Sequence, residues 1–199
     1  GIILHSRDAG RTWRQQPTLV TVPLEAVFFR DQDHGWAVGW FGTILVTTDG
    51  GARWRVVEGP DPTARLTGVH FSDPKRGWVV GVPATVWRTD DGGLTWQAVR
   101  VPLTGWLSAV RCDGERVYVA GDELLMSRDG GRSWSVIEVP VDEALIRVAI
   151  EGGAVWVISP RSIMASLDGG QSWARRLGLG LEGEVAEPGR GVEGEATEG

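Results

Sequence analysis

The chain has 199 residues, 42% of them hydrophobic, enough to bury a sizeable core in one or two domains. Its formal charge of −6 comes mostly from six glutamates and one arginine after Arg176, so residues 1–176 hold 19 basic and 20 acidic side chains, without the basic stripe of a nucleic-acid binder. Cys112 is the single cysteine, which excludes an intrachain disulfide, and no apolar run is long enough to span a bilayer.

A high count of glycine (29) and tryptophan (11) favours turns and large flat packing surfaces over helices. In chain order, the first element is a short run, Ile2 to Ser6, closed by Arg7-Asp8-Ala9-Gly10-Arg11-Thr12-Trp13. The same closing phrase returns around Asp49 and Trp54, Asp91 and Trp96, Asp129 and Trp134, and Asp168 and Trp173. The five tryptophans are 41, 42, 38 and 39 residues apart, a period that signals a repeat architecture.

The second unit predicts four strands: Leu24 to Phe29, Trp36 to Gly39, Thr43 to Thr47 and Trp54 to Val57. The third repeats them as Leu66 to Phe71, Trp78 to Gly81, Thr85 to Arg88 and Trp96 to Val99; the fourth as Leu107 to Cys112, Tyr118 to Gly121, Leu124 to Ser127 and Trp134 to Ile137. A fifth unit runs from Leu145 to Arg175. Aromatics at 36, 78, 118 and 156 share one register, and valines at 27, 69, 110 and 148 another. Four short strands per repeat with glycine-rich turns predict an all-β propeller of four-stranded antiparallel blades, not a helical solenoid.

The repeated turn has its own chemistry. An aspartate at 8, 49, 91, 129 or 168 can accept backbone N–H bonds from the residues after it, and the glycine two positions on suits a positive φ. The Ser or Thr two positions before it, and the hydroxyl before the tryptophan in four copies, add further bonds. The tryptophan (13, 54, 96, 134 or 173) packs beside the corner. Arg53 replaces that hydroxyl in the second copy, so its corner is expected to be less well tied.

This phrase resembles the Asp-box (BNR) repeat, Ser/Thr-x-Asp-x-Gly-x-Thr/Ser-Trp, of sialidases, sortilin-type receptors and xyloglucan-cleaving glycosidases. The longer string Gly35-Trp36-Ala37-Val38-Gly39 through Asp49-Gly50-Gly51, echoed from Gly77 to Gly93, is more narrowly similar to the photosystem II stability/assembly factor family. The resemblance covers residues 1 to about 176; Val117-Tyr118 and Val155-Trp156 depart from its Gly-Trp opening. It implies a non-catalytic, protein-binding scaffold outside the cytoplasm, with a part in photosynthesis, no cofactor and no membrane insertion in this segment. Family members are usually seven-bladed. Because Gly1 to Asp8 align with Gly42 to Asp49, the first unit is expected to lack its inner two strands. The chain then reads as about four and a half blades of a longer propeller, with a self-contained five-bladed ring as the alternative. The incomplete blade is expected to permit self-association through its free edge. Residues 177–199, rich in Glu and Gly, read as a disordered acidic tail.

No residue pattern marks a reaction. The alternative class is a glycosidase or sialidase-like hydrolase of the Asp-box propeller type; a sialidase would need an arginine cluster, a tyrosine nucleophile and a glutamate, whereas Tyr118 sits in a core register and an Arg-Ile-Pro motif is missing. His5, His34 and His70 lack metal-ligand spacing, and single carboxylates on separate hairpins do not assemble a calcium site, so no metal is expected. The candidate binding surface is the rim opposite the Asp boxes, where Trp40, Phe41 and Trp106 lie outside the repeat registers beside Arg65, Arg100 and Arg161. Trp and Arg are the side chains that most often anchor interfaces.

Overall fold

The computed structural model describes residues 1–178, and they form five antiparallel sheets. The first is a pair, β1 (Ile3–His5) and β2 (Arg14–Gln16). The second holds β3 (Leu24–Phe29), β4 (Gly35–Gly39), β5 (Ile44–Thr47) and β6 (Arg55–Val57). The third holds β7 (Arg65–Phe71), β8 (Gly77–Val82), β9 (Thr85–Thr89) and β10 (Gln97–Val99). The fourth holds β11 (Leu107–Asp113), β12 (Arg116–Gly121), β13 (Leu124–Ser127) and β14 (Ser135–Ile137). The fifth holds β15 (Arg147–Glu151), β16 (Ala154–Ile158), β17 (Ser162–Ser166) and β18 (Ala174–Gly178).

Each complete sheet is a meander in sequence order, and β3, β7, β11 and β15 pack side by side as the inner strands of successive blades. Apolar residues on both faces of a blade fill layers between blades, so the core is a series of slabs rather than one body. Val38, Ile44, Leu66 and Phe71 occupy one layer, Val80, Val110 and Leu125 the next, and Tyr118, Leu124, Val148 and Met164 a third.

Several of the sequence boundaries shift by a residue or two. The fourth strands begin one residue after Trp54, Trp96 and Trp134, because these tryptophans belong to the corner and not to the ladder. The last strand runs to Gly178, past the expected end at Arg176, and the rest of the expected tail lies outside the described residues.

The corners show why the phrase repeats. Asp129 Oδ1 accepts from Arg132 N–H (3.0 Å) and Ser133 N–H (2.9 Å), while its Oδ2 accepts from Ser133 Oγ (2.6 Å). Ser127 Oγ donates to Asp129 Oδ1 (2.8 Å) and accepts from Gly131 N–H (2.7 Å). Asp168 and Ser166 repeat this set. At Asp49 the Oδ1 bond from Arg53 N–H (2.8 Å) remains, but no hydroxyl stands at 53 to reach Oδ2. Gly130 and Gly131 both take positive φ, +68° and +83°, and a Cβ on Gly131 would overlap the ring of Trp78 from the preceding blade.

Trp78 is one of a series. Trp36 Nε1 donates to Gly92 O of the next blade (3.0 Å), and Tyr118 lies beside Gly169. The aromatics of the second strands are therefore clasps onto the following Asp box. A second set of clasps uses hydroxyls at a β-bulge: Thr67 Oγ1 donates to Leu107 O (2.6 Å), and Ser108 Oγ to Leu145 O (2.6 Å).

The Asp boxes and the turns between first and second strands share one end of the blades, joined by Gly50 N–H to Asp33 O, Gly92 N–H to Lys75 O and Gly130 N–H to Glu115 O, each 2.9 Å. The turns between second and third strands lie at the opposite end. That end carries the candidate site.

Candidate functional site

The chain from Trp40 to Thr43 makes the turn between β4 and β5, closed by Thr43 N–H to Trp40 O (3.1 Å) and Gly39 N–H to Thr43 O (3.0 Å). Phe41 (φ +57°) and Gly42 (φ +63°) both lie in the left-handed region, as a type I′ turn requires. Glycine takes this conformation freely; a phenylalanine there is uncommon and strained. The turn nevertheless holds two aromatic rings at the surface, Trp40 and Phe41 meeting edge to face at 6.2 Å.

Arg65, at the start of β7 in the next blade, extends beneath this turn. Its guanidinium carbon lies 5.4 Å from the Trp40 ring centroid and 5.8 Å from that of Trp106, in the loop before β11. One cation is thus held between two indoles from different blades. Glu25, on β3, fixes the arrangement: its Oε1 accepts from Arg65 Nε (3.0 Å) and from Trp40 Nε1 (2.6 Å). The Arg65 hydrogen bond, ahead of the Trp40 bond and against burial, holds the Glu25 carboxyl below its ordinary range. Asp122 Oδ2 accepts from Trp106 N–H (3.0 Å) and anchors that loop. Three blades therefore converge on one patch in which Trp40, Phe41 and Trp106 remain 38%, 61% and 51% exposed.

Four of the six expected rim residues, Trp40, Phe41, Arg65 and Trp106, come together. Arg161 does not: its Nε pairs with Glu143 Oε1 (3.2 Å) in a separate groove beside Pro140, Asp142 and Ser162. Arg100 follows β10, the outer strand, and makes no ion pair or side-chain hydrogen bond among the described residues. Sharing an end of the propeller is a weaker relation than sharing a sector of it. Glu25 was missed; its signal was a carboxylate at the bulge position that Thr67 and Ser108 occupy in the next blades.

Elsewhere, Tyr118 is buried with its hydroxyl unpartnered inside the protein, and burial pushes the Cys112 thiol up to about 12. His70 Nδ1 lies 3.0 Å from Cys112 Sγ and accepts from Cys112 N–H (3.3 Å); burial first, then the charge of Arg111, holds its imidazole down to about 4. Both groups are neutral at physiological pH. Among the described residues no group of His, Cys, Asp and Glu is arranged to hold a metal ion.

Inner strands packed in sequence, four-stranded meandering blades and an Asp-box corner on each define this protein as an Asp-box β-propeller. The family model for the photosynthesis system II assembly factor YCF48 matches residues 11–109, about half of the chain, which is similar to this assembly-factor family over that span. Among solved structures, YCF48 bound to D1 peptide is 22% identical with a TM-score of 0.66, over 82% of this chain and 57% of that one. YCF48 from Cyanidioschyzon merolae is 23% identical with a TM-score of 0.67, over 82% of this chain and 59% of that one. This chain thus spans less than two thirds of either. An ancestral GH74 enzyme shares the fold at 16% identity and a TM-score of 0.71, over 90% of this chain and 28% of that one. No curated protein matches the sequence.

Proposed function

We propose that this protein is a non-catalytic assembly scaffold that works outside the cytoplasm and receives a peptide segment of a protein partner on the rim formed by Trp40, Phe41, Arg65 and Trp106. The observation that carries this reading is the Trp40–Arg65–Trp106 stack. It exposes aromatic surface, and Glu25 Oε1 already takes the Arg65 Nε–H and the Trp40 Nε1–H, so the rings can accept apolar side chains without stranding those two donors. A solved YCF48 relative carries a D1 peptide, which supports a peptide as the kind of ligand and supplies a probe.

The test is binding of D1 peptide, measured by titration calorimetry with wild type and the Trp40→Ala/Trp106→Ala variant. The expected result is a loss of at least roughly tenfold in affinity with little change in melting temperature, as for truncated hot-spot aromatics. Equal affinity in both proteins would remove the rim from consideration. Turnover of a xyloglucan oligosaccharide by the purified chain would overturn the non-catalytic reading.

A further inference from the structure

The inner strands carry a second feature, away from the rim. Arg111 on β11 and Arg147 on β15 face a common cavity of about 220 Å³, together with Glu25, Thr67, Gly68 and Ser108. Arg111 also borders an adjoining cavity of about 330 Å³ with His70 and Asp113. Each guanidinium donates one bond to the carbonyl of its preceding residue: Arg111 Nη1 to Val110 O (2.8 Å) and Arg147 Nη1 to Ile146 O (2.7 Å).

Neither arginine forms an ion pair among the described residues. The carboxylates bordering the two cavities are committed elsewhere, Glu25 to Arg65 and Trp40, and Asp113 to Arg116. The two cations also sense each other: burial, and then the charge of Arg147, lower the proton affinity of Arg111. His70, whose protonation Arg111 opposes, adds no compensating negative charge. Each guanidinium has five donors in a fixed plane, of which one is used here. Such a pair suits an oxyanion that accepts several charge-assisted bonds at once.

We propose that Arg111 and Arg147 form a binding site for a small multivalent oxyanion of the sulfate or phosphate type. Two uncompensated positive charges match a dianion. The cavity has room for the equivalent of roughly seven waters, which fits a hydrated tetrahedral ion and not a folded partner.

The experiment uses the full chain and sodium sulfate titrated against sodium chloride at constant ionic strength. Sulfate stabilises most proteins without saturation, so the readout is a saturable rise in melting temperature together with the pKa of the His70 imidazole, followed by NMR. Wild type is expected to show both a saturable rise and an upward shift of His70 as the bound anion offsets Arg111. Arg147→Gln, an exposed site that tolerates change, should weaken sulfate binding roughly tenfold and remove most of the His70 shift. Arg111→Gln should do the same, and Arg100→Gln should do neither. A sulfate effect that does not saturate, or that is equal in wild type and Arg147→Gln, would overturn the proposal.

Discussion

Phe41 holds a conformation that suits asparagine or glycine far better, and its ring touches little beyond Trp40. Such strain persists where it serves a surface feature. Phe41→Asn restores the Asn-Gly pair that type I′ turns favour, so it should raise stability by about 0.5–1 kcal/mol in urea denaturation while weakening peptide capture. A variant that loses stability would show that the ring packs more than it displays. The Asp boxes allow a ranked comparison. Asp129 accepts bonds on both carboxylate oxygens, whereas Asp49 lacks the Oδ2 bond from a following hydroxyl. Asp129→Ala should therefore lower the melting temperature by about 2–6 °C, and by more than Asp49→Ala. The reverse order would mean that the hydroxyl bond contributes nothing.

The elements depend on each other across blades as well as within them. Thr67 and Ser108 each sit at a bulge and donate to the next blade, Thr67 to the first residue of β11 and Ser108 to Leu145, two residues before β15, so the irregularity in one ladder serves its neighbour. Thr67→Val keeps the shape and removes the donor, leaving Leu107 O without that bond; the expected cost is about 1–2 kcal/mol, read from the denaturation midpoint. Adding Ser108→Ala, next in sequence to the Leu107 carbonyl that Thr67 caps, should give a non-additive loss. This level was partly legible in the sequence. The strands, the corners and the aromatic register follow from a period of about forty residues, because each repeat must solve the same packing problem. The rim was legible only as aromatics outside those registers, and Glu25 and the Arg111–Arg147 pair were not legible at all. Their meaning lies in which blades stand next to each other, and that comes from packing. Trp40 and Arg161 lie at one end of the propeller but in different blades, a separation that likewise comes from packing.

For the whole molecule, acid should act in two stages. His70 is held at about 4, by burial and then by Arg111, against about 6.5 in an unfolded chain. The fold favours its neutral form, so this contribution is complete above pH 6.5 and is lost as pH falls toward 4, on the order of 3 kcal/mol in all. Asp129 and Asp168 are held well below the carboxylate range, first by the hydroxyls of Ser133 and Ser172 and then by the backbone N–H groups of the same residues. Their contribution is present above about pH 4 and falls away only below it. His70→Gln should flatten the decline in urea midpoint between pH 6.5 and 4 and leave the steeper loss below pH 4. A decline unchanged in that variant would assign it to other groups.

The clasp from Trp36 to Gly92, with Trp78 and Tyr118 reaching the next Asp boxes in turn, has a consequence for how such chains change over generations. Its two halves are different surfaces of the same unit, so the contact runs head to tail and carries no count of its own. A repeat duplicated or deleted whole leaves every junction already complementary. Blade number can then drift while the chemistry of the seam is inherited intact, and a blade grafted from a relative should be accepted wherever its aromatic and its Asp box both survive.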